Sequence, residues 1–276
     1  VSGNVYTMGY AYSSFAPAMT SVDLTLVGSV GEGAFANNPA LTNVELNENI
    51  TEIAPATFAN TSVNSITLPE NVTSIGDYAF FGTALTAIDL SHVAVIGEYA
   101  FANADLAKVS LAAGAVIGER AFSDDMLLSV VEGLDEATYI GNYAFYRCSL
   151  ASADLGGAQY IGDFAFGLNY ITSVTFGSDL AALGENPFFA CPIETYGKYE
   201  DVVFNGKTVD RTLNEDYDIS DTVSVKAGVL YQMTENGLEL VSYPMLKEQG
   251  EYVVEEGTVR IADSAFAGSG LNTVML

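Results

Sequence analysis

Basic residues are scarce in this sequence. Nine Lys and Arg stand against 35 Asp and Glu, a formal net charge of −26 at pH 7. Nucleic-acid binders need cations to displace counterions from phosphates, so that class is excluded. An anionic bilayer surface repels the chain for the same reason. Histidine is scarcer still. His92 is the only one, and any Ser–His–Asp or Cys–His relay would have to run through it. No Gly-x-Ser-x-Gly elbow occurs, and His92 follows an expected strand ending at Leu90, which suggests a solvated edge residue. The two cysteines, Cys148 and Cys191, are too few for a disulfide framework. With one histidine and two separated cysteines, no zinc site of the usual kind can be assembled. Catalysis is therefore not expected, and no cofactor is implied.

Long apolar runs are also lacking: none approaches the roughly 18 residues of a membrane-spanning helix. The chain opens Val1-Ser2-Gly3 without an initiator Met, a basic n-region or an apolar h-region. That reads as a mature or trimmed product whose export signal is not in this sequence. Its last residues, Asn272 to Leu276, look like a strand, which suggests either an artificial boundary there or a missing C-terminal segment. What the chain does have is apolar material, 49% against 16% charged, which is ample for a core.

That material is periodic. The phrase Ile-Gly-x-x-Ala-Phe stands at Ile75–Phe80, Ile96–Phe101, Ile117–Phe122, Ile140–Phe145 and Ile161–Phe166, with weaker copies around Phe35, Phe58, Phe188 and Phe266. From Phe35 to Phe188 the gaps are 23, 22, 21, 21, 23, 21 and 22 residues. About five residues after most of these phenylalanines comes apolar-x-x-apolar-x-apolar, as in Val63-x-x-Ile66-x-Leu68, Leu85-x-x-Ile88-x-Leu90, Leu106-x-x-Val109-x-Leu111 and Ile171-x-x-Val174-x-Phe176. An apolar pair at spacing two is a short strand with one buried face. A unit of this length with one strand and one tight return is a leucine-rich-repeat signature. The expected fold is a single curved leucine-rich-repeat solenoid, an α/β-type repeat that is mostly β. It has a parallel sheet of short strands, short irregular or 3-10 returns and a β-hairpin insertion. The phenylalanines should form a spine, each Ala leaving room for the next coil and each Gly permitting a sharp turn.

The two phrases together resemble the BspA-type leucine-rich repeats of bacterial surface proteins, also seen in some parasitic protists. The resemblance covers about residues 19–196 and 252–276. It implies export, display at the cell surface or secretion, and adhesion to host extracellular matrix or other cells. The family has no fixed ligand motif, so it assigns no binding residue.

Residues 1–18 should cap the N-terminal end, with the repeats over 19–196. From Phe188 to Phe266 is 78 residues, so about 56 are inserted. The insertion, 197–251, carries hairpins expected at 202–209 and at Gly228–Tyr231 with Leu238–Val241, the latter turning at Asn236-Gly237. Asn214 to Asp221 reads as an acidic, turn-rich link between them. Repeats resume over 252–276. The insert continues the sheet or forms a dedicated binding element.

Residues alternating with the core should face outward from the sheet: Ser65, Thr67, Ala87, Asp89, Lys108, Ser110, Ser152, Asp154, Ser173 and Thr175. This candidate binding face is small and polar, without the aromatic anchors of tight interfaces, and suits weak multivalent contact. Carboxylates two residues after the Ile (Glu32, Asp77, Glu98, Glu119, Asp163, Glu185 and Asp263) should cap the return turn, or form a weak calcium ladder. Tyr78, Tyr99, Tyr143 and Phe164 pad the outer wall with hydroxyls in water, or form a strip for sugars or a partner. Cys148 and Cys191 share a column two repeats apart, about 10 Å at strand spacing, and should be free buried thiols. The function expected is non-catalytic recognition of a protein or glycan partner from an extracellular or cell-surface position. The alternative is a structural spacer of a larger surface protein with no ligand of its own.

Overall fold

The computed structural model describes residues 7–8, 19–193, 195–198, 216–247 and 250–276. They fall into two compact units, one from Val1–Gly133 with Arg147–Ser149, the other from Leu134–Tyr146 with Leu150–Leu276. Each unit is wound from short parallel strands and tight returns, to which the second adds the antiparallel strands of the insertion. The only helical element among the described residues is a 3-10 turn at Leu134–Glu136. Apart from the two-residue strand Thr7–Met8, the expected cap lies outside the described residues, as does the hairpin expected at 202–209.

The isoleucine of the repeat forms one ladder. In the first unit Ile53, Ile75, Ile96 and Ile117 lie in parallel register, and in the second Ile140 pairs with Ile161 and Ile161 with Leu183. The apolar-x-apolar phrase forms the other. Ala87–Leu90, Lys108–Leu111 and Val130–Glu132 stack in the first unit, Ser152–Leu155, Ser173–Phe176 and Thr195–Lys198 in the second. Ile88 and Leu90 are buried while Ala87 and Asp89 are exposed, as a period of two requires. One expected strand is absent. Residues 61–69 form none, although Val63 and Leu68 are buried as the pattern predicts.

The phenylalanines do stack. In the first unit Phe35, Phe58, Phe80, Phe101 and Phe122 follow one another at ring-centroid distances of 5.7, 5.4, 5.2 and 5.3 Å. In the second, Phe145, Phe166 and Phe188 follow at 5.3 and 5.6 Å. Backbone hydrogen bonds between coils fix this register. Phe80 N–H donates to Ala100 at 2.7 Å and Phe101 N–H to Ala121 at 2.8 Å. The residues two before each Phe do the same: Tyr78 donates to Glu98 at 2.8 Å and Tyr99 to Glu119 at 2.9 Å.

Those residues correct the expectation about the glycine. Positive φ falls not on the Gly of Ile-Gly but two residues before and two residues after each Phe. Tyr78, Tyr99, Arg120, Tyr143 and Phe164 have φ of 58, 54, 53, 55 and 51°, and Asn60, Asn103, Asp124, Arg147 and Leu168 of 55, 55, 65, 59 and 59°. The left-handed conformation aims alternate N–H groups along the stacking direction, and the bonds so gained hold side chains that otherwise avoid it. The motif glycine has another cause. A Cβ on Gly118 would lie 2.7 Å from the Gly97 carbonyl carbon and 2.9 Å from the Glu98 nitrogen. The neighbouring backbone occupies its place.

Two opposite results should follow from adding or removing one methyl group. Gly118→Ala forces two coils apart and is expected to lose about 1–3 kcal/mol. Ala56→Gly, at φ 53°, relieves strain and should gain up to about 1 kcal/mol. Urea midpoints measure both, and a shift of the same sign for the two would discard this division of roles.

The insertion builds a five-stranded sheet in the order Tyr217–Asp218, Val223–Lys226, Val229–Thr234, Gly237–Ser242, Thr258–Ile261. The stretch expected to be an acidic, turn-rich link contributes an edge strand, because Tyr217 finds a buried place opposite Val225. The expected second hairpin forms, but its turn is Glu235-Asn236, and Gly237, at φ 127°, already pairs with Thr234. Its outer strand joins the resumed repeat in parallel, with Leu240 opposite Ile261. Val229, Tyr231, Leu240, Tyr243, Tyr252, Val254, Ala262 and Ala265 share one core cluster, so insert and resumed repeat bury their apolar faces together.

Candidate functional site

The expected binding face is built by strand alternation. In the first unit Asp89 lies opposite Ser110, and Lys108 and Ser110 lie opposite Val130 and Glu132. Lys108 Nζ reaches Glu132 Oε1 at 2.6 Å and Ser110 Oγ donates to Glu132 Oε2 at 2.9 Å. These two bonds hold the Glu132 carboxyl below its ordinary range, and bonds from Ser91 do the same for Asp89. Ser65 and Thr67 are exposed but stand on the segment that forms no strand. In the second unit Ser152 pairs with Ser173 and Asp154 with Thr175, whose Oγ1 donates to Asp154 Oδ1 at 2.8 Å.

The sequence pattern missed Glu132 and the acidic residues of the first strands. Gly133 stands where the third apolar residue of Val130–Glu132's coil belongs, which hid that strand; the signal was Glu132's place 22 residues after Ser110. Ser21, Asp23, Asn43 and Glu45 also face outward, on Ser21–Asp23 and Asn43–Glu45.

The other columns have structural duties. Asp77 Oδ1 accepts from Glu98 N–H at 2.8 Å, Asp163 Oδ1 from Glu185 N–H at 2.7 Å, and Glu185 Oε2 from Asp263 N–H at 2.7 Å. These carboxylates cap the next coil rather than their own turn, because the coil repeat places that N–H directly over them. Among the described residues no group of three or more His, Cys, Asp or Glu is arranged to hold a metal ion. Tyr78 and Tyr99 stack at 4.8 Å with planes 6° apart, and the Arg120 guanidinium lies 5.8 Å from the Tyr99 centroid. Tyr143 stacks on Phe164 at 5.3 Å. Rings that cover one another present edges rather than open plates, so this column is poorly suited to stacking sugars.

Residues three after the Phe bond back to a Phe carbonyl: Asn38 to Phe35 at 2.8 Å, Thr61 to Phe58 at 2.8 Å, Thr83 to Phe80 at 2.9 Å, and Asn169 to both Phe145 and Phe166 at 2.7 and 2.8 Å. Cys148 and Cys191 belong to this column as free buried thiols, 3.2 Å from the Phe122 carbonyl and 3.1 Å from that of Phe166. Burial pushes the Cys191 thiol up to about 11 and that of Cys148 well up as well, the reverse of what a thiolate nucleophile needs. His92 is half-buried rather than solvated, with Nε2 out of solvent and unpartnered; it follows the strand end on Ser91-His92, where the chain turns inward toward buried Val93. Among the described residues no helix is long and apolar enough to cross a membrane.

Comparison with known proteins agrees with this architecture. The family model described as BspA type Leucine rich repeat region matches six copies over residues 10–128 and 96–204. No curated protein matches. Among solved structures, a leucine-rich repeat protein from Eubacterium ventriosum is 19% identical with a TM-score of 0.52, covering 69% of this chain and 50% of its own. The pneumococcal vaccine antigen PcpA is 18% identical at a TM-score of 0.47, covering 82% and 53%. A leucine-rich repeat protein from Bacteroides ovatus is 19% identical at 0.46, covering 97% and 78%. The chain spans about half the length of the first two. These likenesses concern the fold. With more than half its length matched to the repeat model, and the repeat's columns stacked as that model requires, the chain belongs to the BspA-type leucine-rich-repeat family.

Proposed function

We propose that this chain is a non-catalytic module of an exported bacterial-type surface protein that binds a protein or glycan partner, such as extracellular matrix, through its strand-bearing face. One observation carries the reading: in each unit the outward residues of the longer strands form an in-register row of exposed or half-buried side chains, chiefly small polar and acidic, with Ala87, Lys108 and Val130 among them. Such a row offers repeated weak contacts over an extended length, the arrangement suited to avidity. Family membership supports the surface setting.

A spacer without a ligand is the second reading, favoured by the bonds these side chains make to one another, Lys108 and Ser110 to Glu132 and Thr175 to Asp154. The two separate on immobilised matrix proteins and glycans. Saturable retention, weakened by Asp154→Ala with Ser173→Ala but not by Tyr78→Ala, is the expected result. Retention of nothing across the panel leaves the spacer.

A further inference from the structure

Tyrosines of adjacent coils rest on one another at two places on the outside of the molecule. In the first unit the Tyr78 and Tyr99 ring centroids lie 4.8 Å apart with planes 6° apart; in the second, Tyr139 and Tyr160 lie 4.9 Å apart with planes 19° apart. The backbone holds both pairs in register. Tyr139 is the ladder partner of Tyr160, while Tyr78 and Tyr99 each donate an N–H to the following coil from the same left-handed conformation, φ 58 and 54°. Matching backbones aim the two rings of a pair the same way, so their ortho carbons lie side by side. The rings are within reach of solvent: Tyr78 and Tyr139 are 41% and 43% exposed, and Tyr99 and Tyr160 are half-buried.

Two phenols held side by side are arranged for oxidative coupling, and the charge around them favours it. Burial first, then the fields of Tyr99, Glu98, Asp77 and Glu119, hold the Tyr78 phenol above its ordinary range; burial, then Tyr139 and Asp163, do the same for Tyr160. At neutral pH each is therefore a protonated phenol in a negative field, and such a field eases the departure of an electron. The Arg120 guanidinium, 5.8 Å from the Tyr99 centroid, opposes that departure, so Tyr78 is the first of its pair to be oxidised.

We propose that the stacked pairs Tyr78 with Tyr99 and Tyr139 with Tyr160 are oxidative cross-linking sites, at which a peroxidase and hydrogen peroxide staple one coil to the next. Each phenol loses one electron and one proton. The two phenoxyl radicals join their unpaired electrons in one ortho carbon–carbon bond, and each ortho hydrogen then moves as a proton to a phenolic oxygen. The peroxide takes up the two electrons and two protons and leaves as two waters, so the chain loses two hydrogen atoms per bond. The new bond restricts the unfolded chain, as a disulfide does. None of this depends on what the strand-bearing face binds.

The test treats the full chain with a haem peroxidase and hydrogen peroxide, then reads dityrosine fluorescence, intact mass and linked peptides. Cleavage after Glu98 and after Arg147 separates the partners of each pair unless they are joined. Both linked peptide pairs are expected, with a yield per chain that does not fall on dilution and a urea midpoint above that of the untreated protein. Tyr99→Phe with Tyr160→Phe should remove most of the fluorescence. Phenylalanine keeps the stacked ring, as Phe164 does on Tyr143, so the fold is retained. Tyr170→Phe should change nothing, since Tyr170 is 68% exposed but stands in no ring pair among the described residues. Absence of dityrosine, a yield that falls on dilution, persistence of the fluorescence in the double variant, or an equal loss in the Tyr170 variant overturns the sites. Linked coils with an unchanged urea midpoint overturn the staple.

Discussion

Replacing Asp125 with asparagine is expected to stabilise the protein by a few kcal/mol at pH 7 and to change little near pH 4. Asp125 is fully buried, and neither carboxyl oxygen has a hydrogen-bond partner. Desolvation pushes its carboxyl up to about 9 against the opposing pull of the nearby Ala104 N–H, which is itself bonded to Phe101, and the charges of Asp105 and Asp124 add to the rise. Cys148, which also acts on it, has a neutral thiol, and Arg147 is committed to Asp124 at 2.6 Å.

The direction with pH follows from where the proton sits. Below about pH 4 folded and unfolded chains both hold it, and this group costs nothing. Above that the unfolded chain releases it while the folded chain keeps it until about pH 9, so stability declines through that window by about 1.4 kcal/mol per pH unit, or about 4 kcal/mol by pH 7. Asparagine carries no such proton. It also belongs in this column, where Asn169 donates to two Phe carbonyls and Asn38 to one. Urea midpoints at pH 4, 7 and 8.5 decide the matter: curves for parent and variant that run parallel would remove Asp125 as the cause.

Phe101→Ala should cost about 3–5 kcal/mol. Phe101 is fully buried, with Phe80 stacked 5.2 Å on one side and Phe122 5.3 Å on the other. The missing ring opens a cavity that the coils cannot close, because the flanking N–H bonds of Tyr99, Phe101 and Asn103 to the next coil fix their spacing. In a repeat array each coil touches only its neighbours, so amide exchange should rise first in the returns around Phe80 and Phe122. Tyr78→Ala, which removes a half-exposed stacked ring from the outer wall, is the comparison, with a loss of about 0.5–1.5 kcal/mol expected. Equal losses at the two positions would mean that the spine is not the core of this fold.

How far the sequence could be read depended on whether a residue's role was set by its own coil or by the next one. Ile75, Ile96 and Ile117, and the stacked phenylalanines, were legible because burial alone selects large apolar residues at a fixed spacing. The hairpin of the insert was legible from Asn236-Gly237, although pairing moved its turn back by one residue. The carboxylate column was visible as a column, but its acceptor role toward the following coil was not, since nothing local distinguishes Asp77's own N–H groups from that of Glu98. Glu132 was hidden by Gly133, and the missing strand at residues 61–69 by an apolar pattern that looks the same whether or not the ladder closes.

The sequence by itself determined the repeat, the strand faces, the Phe spine and the acidic surface, because period and composition are properties of residue types. Only the tertiary structure decided that Tyr, Arg and Leu take left-handed backbone, that glycine serves backbone clearance, that Asp125 is a neutral acid, and that the coil at residues 61–69 forms no strand. Each of these depends on which group of the adjacent coil stands a few ångströms away, and spacing along the chain does not encode that distance.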